Sequence, residues 1–466
     1  MLPTAARCPW LAGFVAFAAT TAQTLVPTAE APHGVSTSTS PPQQRSLRVD
    51  GQRALANLRR LATFGATPDG GTTRLAFSDE DLAARAFMTG LMESAGLSVS
   101  TDDVGNLIGR RAGSDVSLPP IMLGSHIDTV PAGGSFDGQV GSIGALEVAQ
   151  TLADYGITTR HPLEFVIFQN EEGGKTGSRA LIGIVEPREL DVVTASGYSI
   201  GEGIRILGGD PARLAAAERD PGSIAAFLEL HIEQGAILHG QGIDIGVVEG
   251  IVGIKRWDVT FEGFANHAGT TPMNARRDAL LAAARFIDAV HDVASTTPGR
   301  QVATVGRIDE SPGAPNVIPG LVTVSLEIRD LEMSVVDAVF EAIRARARTI
   351  ASATDTSVGF ESFYVSHEAP TDPQIRALVA EAAEDLGLSS LAMPSGAGHD
   401  AQSIAVLAPI GMIFVPSIDG ISHSPRERSA PDAIVAGVNV LLHTLLKLDE
   451  RDLGSGRASG HSARTH

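Results

Sequence analysis

Residues 121–129 read IMLGSHIDT, a short apolar run that ends in a histidine and an acid. A run of this kind is typical of a strand buried on both faces of a parallel sheet. Four such runs occur, and helical patterns such as Gly144–Tyr155 separate some of them: Ile121–Gly124, Leu163–Phe168, Ala225–Leu230 and Ile410–Val415. We therefore predict an α/β fold with a doubly wound, largely parallel sheet and helices on both faces.

The pattern changes from about Val247. Half-exposed strands and amphipathic helices are then indicated at Lys255–Phe261, Arg276–Ala294, Val302–Ile308, Leu321–Arg329 and Ser334–Ile350. A strand-helix-strand-strand-helix-strand order fits a small ferredoxin-like α+β unit. Because sheet segments flank this unit on both sides, we expect an inserted domain at 247–363 that divides a catalytic domain into residues 47–246 and 364–450.

Composition narrows the class of protein. A chain of 466 residues with 43% hydrophobic residues exceeds the usual size of one core, so two domains are expected. Its net charge of -19 disfavours nucleic acid and membrane partners, because an acidic surface repels phosphate groups. The single cysteine, Cys8, excludes a disulfide framework and a thiolate metal site in the folded body. Any metal here would bind histidine and carboxylate groups.

The two ends of the chain have the composition of processing and linker segments. An apolar stretch at Trp10–Ala22 follows Arg7 and precedes a small-residue cleavage pattern, so residues 1–31 are predicted to be a signal peptide and the protein to be secreted or periplasmic. A cytosolic extension is the alternative. Residues 32–46 resemble a flexible linker, and 451–466 a disordered tail.

Potential metal ligands follow the apolar runs. They are His126, Asp137, the pair Glu171-Glu172, His231 and His423. Taken singly, the histidines and Asp137 are better explained by a structural role in a turn, a core or the surface, and the glutamate pair is explained equally well by a solvated turn. Together they are harder to explain in that way, because the carboxyl ends of parallel strands meet at one crevice, where such folds bind ligands.

Two local patterns refine this expectation. Asp128, two residues after His126, could accept the other ring N–H of that histidine and fix its tautomer. Glu171 and Glu172 are adjacent and point in different directions, so one could bind a metal while the other moves a proton. The following Gly174-Lys175-Thr176 is not part of a phosphate-binding loop, because Gln169 stands where that motif needs glycine.

Seven ordered motifs within about residues 48–448 carry a resemblance to a known family: GSHIDTVPAGGSFDG, NEEGG, ELHIEQG, NHAGTTPM, APNVIPG, SGAGHDA and SHSPRE. They resemble the binuclear metal amidohydrolases that include N-carbamoyl-L-amino-acid hydrolases, β-ureidopropionases and allantoate amidohydrolases. These enzymes are related to aminoacylases and carboxypeptidase-type metallopeptidases.

The resemblance implies a metal centre with assigned ligands. His126 and His231 would bind one divalent ion, Glu172 and His423 a second, and Asp137 would bridge both, while Glu171 would be the general base. Zinc suits these ligands, with manganese, cobalt and nickel as alternatives.

The resemblance also implies roles for the inserted domain, which would act as a lid and a dimerisation domain. His267 would reach the partner subunit's site across a homodimer and stabilise the developing oxyanion; a turn-capping histidine is the alternative. The implied substrate contacts are Gln234, Asn316, Arg329, Gly396 and Gly398, whereas His399 and Asp400 would brace the loop.

The implied reaction is hydrolysis of a linear amide or ureido C–N bond in a small carboxylated substrate. An N-carbamoyl-L-amino acid would give an amino acid, ammonia and carbon dioxide. Allantoate or another ureido acid, N-acyl amino acids and dipeptides are alternatives, and a catalytically silent secreted binding protein is a further one. Lys175-Thr176 departs from the Arg-Phe step of many relatives, which leaves the substrate side chain open.

Overall fold

A computed structural model describes residues 46–451. The predicted signal peptide, all but the last residue of the predicted linker and all but the first residue of the predicted tail lie outside these residues.

The described strands, in chain order, are β1 Ser98–Thr101, β2 Leu107–Arg111, β3 Ile121–His126, β4 Leu163–Phe168, β5 Ala226–Ile232, β6 Ile245–Ile251, β7 Gly253–Glu262, β8 Asn266–His267, β9 Val302–Ser311, β10 Val317–Ile318, β11 Leu321–Asp330, β12 Ser357–Ser366, β13 Ala369–Pro370, β14 Ser390–Ser395 and β15 Ile410–Val415.

The described α-helices are α1 Gly51–Leu61, α2 Asp79–Ser94, α3 Gln139–Asp154, α4 Thr176–Ala180, α5 Ile200–Ile206, α6 Ile237–Gln241, α7 Ala279–Thr296, α8 Met333–Ala353, α9 Pro373–Asp385, α10 Asp400–Ile404 and α11 Pro431–Asp449.

Nine strands form one mixed sheet in the order β1-β2-β4-β3-β5-β15-β6-β13, with β14 pairing β6. Its centre is parallel: β3 pairs in parallel with β4 and β5, and β5 with β15. These four strands are buried at every residue, which explains their continuous apolar sequences. The predicted α/β fold with a largely parallel central sheet is confirmed.

Alternate residues of the central strands enter two cores. In β4, Phe165 and Ile167 pack into one core and Val166 and Phe168 into the other. The first core includes helix α11, which is apolar and long enough to cross a bilayer, yet 72% of its apolar window is buried inside the protein. This helix therefore has the burial of a core helix in a soluble protein.

The second sheet is antiparallel and has the strand order β12-β7-β11-β9. Helices α7 and α8 pack on it and share a core that includes Phe261, Phe286 and Ile343. The chain order of strands and helices is the predicted βαββαβ order, so a separate small α+β unit is present. We call this unit, residues 253–366, the lid.

Two predicted boundaries differ from the structure. Strand β6 pairs within the large sheet, so the chain enters the lid at Val252 instead of Val247, and it returns after Ser366 instead of Phe363. Hydrophobic pattern does not reveal which sheet a strand joins, and this explains the difference. Helix α3 begins at Gln139, five residues before the predicted Gly144, directly after Asp137-Gly138.

Candidate metal centre and active site

Two buried imidazoles occupy neighbouring strand ends. His126 ends β3 and His231 lies one residue before the end of β5, and their ring centroids are 6.0 Å apart. The Nδ1 atom of His126 is 3.1 Å from the carbonyl oxygen of Asp128, and that of His231 is 2.9 Å from the carbonyl oxygen of Ile232. A proton on Nδ1 would satisfy both carbonyls and leave both Nε2 lone pairs facing the crevice.

Asp137 stands between two sets of potential ligands. Its Oδ1 atom is 3.2 Å from His231 Nε2 and 3.6 Å from His126 Nε2. Its Oδ2 atom is 3.4 Å from His423 Nε2, which is 3.6 Å from Glu172 Oε2. Within each set the ligand atoms lie within 4.8 Å of one another. The structure therefore brings all five predicted ligands together in two sets that share Asp137.

The turn that carries Asp137 needs glycine at the next position. Gly138 has φ +68°, and a Cβ atom there would lie 2.3 Å from His126 Nε2. Its N–H group also donates to His231 Nε2 at 3.1 Å. Glycine thus permits both the left-handed backbone and the close approach of the imidazole.

These donors fit two divalent cations. Imidazole nitrogen and carboxylate oxygen are preferred ligands of zinc and similar ions, and a carboxylate that faces two ligand sets is suited to bridging. The charges agree with this interpretation. Burial, followed by the charges of Asp137 and Glu171, raises the pKa of Glu172 to about 8, and bound cations would remove such repulsion.

The other two members of the second set also have displaced pKa values. Burial alone would raise the pKa of Asp137, but the charge of His231 and the close approach of the three imidazoles hold this pKa well below its ordinary value. The hydrogen bond to Asp137 raises the pKa of His423 to about 9 despite partial burial. Ionised Asp137 is the form that a bridging ligand requires.

Glu171 lies beside the two ligand sets and belongs to neither. Its Oε2 atom is 3.8 Å from His126 Nε2, and its side chain is 11% exposed. Burial raises the pKa of Glu171, and the charges of His126 and Lys175 offset part of that rise. A carboxylate that is close to the centre and outside both sets can exchange a proton with a substrate or a water.

Asp128 acts differently from the expectation. Its carboxylate is 3.7 Å from His126 Nδ1, and its own carbonyl oxygen is the closer acceptor for that ring. The carboxylate instead accepts the backbone N–H groups of Glu171 and Glu172, at 3.3 and 3.1 Å. A side-chain acceptor can satisfy two successive N–H groups in a turn, so Asp128 positions the glutamate pair.

Gln234 also differs from its predicted substrate contact. In this structure its Nε2 atom donates to Asp137 Oδ2 at 2.6 Å, so it orients the bridging candidate. The Ser422 hydroxyl lies 3.0 Å from the same oxygen and 2.7 Å from Glu427 Oε2, so its single proton can be donated to either carboxylate. Glu427 accepts the N–H groups of Phe136 and Asp137. Sequence reasoning missed Ser422 and Glu427, although both flank His423 in the SHSPRE segment.

Buried polar groups lie behind His231, one of the predicted ligands. The His399 ring packs edge-on against that of His231 with centroids 4.4 Å apart, and its Nε2 atom is 2.8 Å from Ser395 Oγ. Burial and the charge of His231 hold the pKa of His399 well below its ordinary value.

Glu229, which sequence reasoning also missed, accepts hydrogen bonds from the hydroxyl of Ser125 and from the N–H of Ala401. An acid two residues before His231 in an apolar strand was the available signal.

The predicted lid residues are more exposed. The Nδ1 atom of His267 accepts the N–H groups of Gly269 and Thr270, so its hydrogen bonds are local. The carbonyl oxygen of Asn316 accepts the N–H of Ala268 at 3.0 Å, which places Asn316 at the same turn. Both side chains belong to exposed residues.

Arg329 is a lid residue that contacts the catalytic domain. It donates through Nε to Glu327 at 2.7 Å and through Nη1 to the carbonyl oxygen of Gly396 at 2.6 Å. The structure thus brings together Arg329 and the 396–398 loop, two of the predicted substrate contacts.

This fold and side-chain set define a hydrolase with a centre suited to divalent metal ions. The chain belongs to peptidase family M20/M25/M40, whose model matches residues 122–447.

Similar proteins narrow the class to amidohydrolases. The chain is 41% identical over 405 residues to an N-carbamoyl-L-amino acid amidohydrolase of Geobacillus stearothermophilus, covering 86% of this chain and 99% of the relative. It is 36% identical to an allantoate amidohydrolase of Escherichia coli K12, covering 83% and 95%. A solved amidase of the hydantoinase/carbamoylase family from Burkholderia multivorans has a TM-score of 0.81 and 38% identity, covering 86% of this chain and 98% of that one.

Proposed function

We propose that the protein hydrolyses an N-carbamoyl-L-amino acid to the amino acid, ammonia and carbon dioxide, with two zinc ions bound. The observation that carries this proposal is the position of Asp137, whose two carboxylate oxygens face separate ligand sets beside Glu171. The similarity to amidohydrolases named for N-carbamoyl-L-amino acids supports the substrate class.

Three side chains have separate roles in the proposed hydrolysis. When bound, the two ions would lower the pKa of a shared water and polarise the scissile carbonyl. Glu171 accepts the proton of the attacking water and returns it to the leaving nitrogen, and Asp128 holds the backbone of Glu171 in place. Arg329 offers a guanidinium group to the substrate carboxylate at the lid edge of the crevice.

The direct test is ammonia release from a panel of N-carbamoyl-L-amino acids by metal-replete protein that lacks residues 1–31. Chelation should abolish the release, and zinc should restore it. Manganese, cobalt and nickel, added separately, would identify another preferred ion. A protein that binds metal and releases no ammonia would contradict the proposed activity and support a silent binding protein.

Allantoate is the second candidate substrate. Allantoate amidohydrolases from two bacteria match most of this chain at 36% identity, and a ureidoglycolate hydrolase of Arabidopsis thaliana matches at 37%. Including allantoate and ureidoglycolate in the same panel separates these activities, because each would be ranked by kcat/KM under one set of conditions.

We also propose that two copies of the chain associate through the lid. Strand β9 lies at the edge of the lid sheet, and Val302 and Ile308 on it, with Leu281 and Ile287 on α7, are exposed apolar side chains. An open strand edge beside exposed apolar groups is suited to pairing with a second copy. His267 would then act in the partner subunit's site, consistent with its exposure.

A mixed dimer tests the role of His267 across the interface. Glu171→Gln and His267→Ala chains, each inactive as a pure dimer, are co-expressed with different tags and the mixed dimer is isolated. If His267 serves the neighbouring site, one of the two sites is complete, and activity returns to about half of wild type. An inactive mixed dimer would show that His267 acts within its own chain.

We also propose that the protein is exported from the cytosol. The signal-like sequence of residues 1–31 supports it, and fractionation of cells that express the full chain would test it. A shortened product in the periplasm or medium is expected; a full-length product in the cytosol would contradict it.

A further inference from the structure

The chain passes between the catalytic domain and the lid at two points, which we call the outgoing and the returning crossing. One segment of the catalytic domain contacts both crossings. This segment, residues 395–402, begins at the end of β14 and ends in helix α10. On the outgoing crossing, the N–H of Val252 donates to the carbonyl oxygen of Ser395 at 3.0 Å. On the returning crossing, Gln402 donates through Nε2 to the carbonyl oxygen of His367 at 2.6 Å and to Ser366 Oγ at 3.1 Å.

The same segment contacts the lid between its two ends. Arg329 of β11 donates to the carbonyl oxygen of Gly396 at 2.6 Å. Lid position and the position of the 396–398 backbone are therefore fixed by the same set of hydrogen bonds. Because four hydrogen bonds, to both crossings and to β11, converge on these eight residues, a shift of the lid must move this segment or break them.

Gln402 extends the connection to the turn after the catalytic acids. Its Oε1 atom accepts a hydrogen bond from Lys175 Nζ at 2.6 Å, so the side-chain amide bonds through its oxygen and its nitrogen at once. The N–H of Lys175 in turn donates to the carbonyl oxygen of Glu171 at 2.9 Å and closes that turn. A path of bonded groups thus joins Glu171 to the returning crossing.

Because Gly398 has no side chain, the Lys175-Gln402 pair can lie close to the backbone of the 396–398 loop. A Cβ atom on Gly398 would lie 3.1 Å from Lys175 Nζ and 3.5 Å from Gln402 Oε1. The Lys175-Gln402 pair therefore packs directly against the backbone of the loop.

We propose that Gln402 is a positioning residue that couples the orientation of the lid to the catalytic turn, with Lys175 as its partner on the catalytic side. The inference rests on the proposed hydrolytic function for its kinetic readout. Gln402 holds the returning crossing through Nε2 and the turn after Glu171 through Oε1. Loss of either connection leaves the metal ligands in place but lets lid and catalytic turn move independently.

Three variants separate the two connections. Gln402→Ala removes both. Gln402→Glu keeps an acceptor for Lys175 and loses the donors to Ser366 and His367. Lys175→Met removes the catalytic connection and keeps the crossing. Gln52→Ala, at an exposed position on α1, is the matched control.

Two measurements are made on each metal-replete variant. Hydrogen exchange of residues 366–370 is followed without substrate, and kcat and KM are measured on whichever substrate of the panel the wild type hydrolyses best. Faster exchange is expected in Gln402→Ala and Gln402→Glu, and wild-type exchange in Lys175→Met and Gln52→Ala. All variants at Gln402 and Lys175 should lose kcat/KM by on the order of tenfold, as for a lost charge-assisted or buried hydrogen bond, with unchanged metal content.

The double variant completes the test. If the two residues act through one contact, Gln402→Ala with Lys175→Met loses no more activity than the worse single variant. Additive losses, or faster exchange with kcat/KM within twofold of wild type, would overturn the coupling. A wild type that hydrolyses none of the panel would contradict the proposed function, while the exchange measurement would still show whether Gln402 holds the crossing.

Discussion

The metal crevice and the lid place their functional residues in opposite ways. In the crevice, His126, His231 and Asp137 are buried, and neighbouring strands and turns fix their positions. In the lid, His267 lies in a short two-stranded ribbon and Asn316 directly precedes its second strand; both residues are exposed and are held by local hydrogen bonds. The crevice residues are fixed by the central sheet, whereas the positions of the lid residues depend on where the lid lies.

Substitutions in the two regions should therefore have different effects. Replacing a candidate ligand fixed by a strand should reduce metal content and activity together. Replacing a lid residue should change substrate binding and leave metal content unchanged.

Asp137→Asn should abolish activity and reduce metal content from two ions to fewer than one per chain, because one amide cannot replace a carboxylate that faces both ligand sets. Metal analysis after dialysis, together with ammonia release, measures both effects. Asp432→Asn, at an exposed acid in the first turn of α11, is the control. Retention of two ions by the Asp137 variant would show that this carboxylate is not needed to bind them.

Glu171→Gln should lower kcat by about 10²–10⁴-fold while both ions stay bound, because the amide cannot accept the proton and the ligand sets are intact. Single-turnover ammonia release checks the rate. Glu93→Gln, at an exposed position on α2, controls for the change of charge. Loss of a metal ion in the Glu171 variant would instead identify this residue as a ligand.

Asp128→Asn should lower activity by about 10–100-fold, the range of groups that orient a metal centre or its neighbours. Each carboxylate oxygen of Asp128 accepts one N–H group, from Glu171 and from Glu172. The amide of asparagine has one acceptor oxygen and no negative charge, so it cannot accept both N–H groups equally well. The His126 ring should keep its orientation, because the carbonyl of residue 128 remains. A crystal structure of the variant with a displaced His126 ring would contradict this division of roles.

Arg329→Lys should raise KM by about tenfold and change kcat and metal content little, because an ammonium group loses the paired geometry of a guanidinium. Steady-state kinetics on the best panel substrate measures the change, with Arg59→Lys on the exposed side of α1 as control. A fall in kcat with unchanged KM would place Arg329 in the chemical step and blur the distinction between lid and crevice.

The sequence predicted the strands of the crevice well because they are continuous apolar runs. Bounds of Leu163–Phe168 and Ile410–Val415 agree with β4 and β15, and the predicted ligands lie at or after strand ends, where sheet topology brings them together. The order of elements in the lid was also predictable from alternation. Residue roles in the lid came from resemblance alone, since exposed turns carry no periodic signal.

What the sequence could not predict is how side chains divide their hydrogen bonds. Asp128 had two suitable neighbours, the His126 ring and the backbone of the glutamate pair, and only the coordinates show which one its carboxylate meets. Gln234 and Glu427 likewise contact the Asp137 turn from segments about 100 and 290 residues away. Such contacts depend on tertiary packing, and so does the pairing of β6 with the large sheet.

In the proposed centre, Asp137 is shared by two metal ions. Anomalous diffraction from crystals of the zinc-loaded protein would locate these ions. We expect two zinc peaks, one beside His126 and His231 and one beside Glu172 and His423, with a carboxylate oxygen of Asp137 bound to each. A single peak, or two peaks of which one lies away from Asp137, would contradict it.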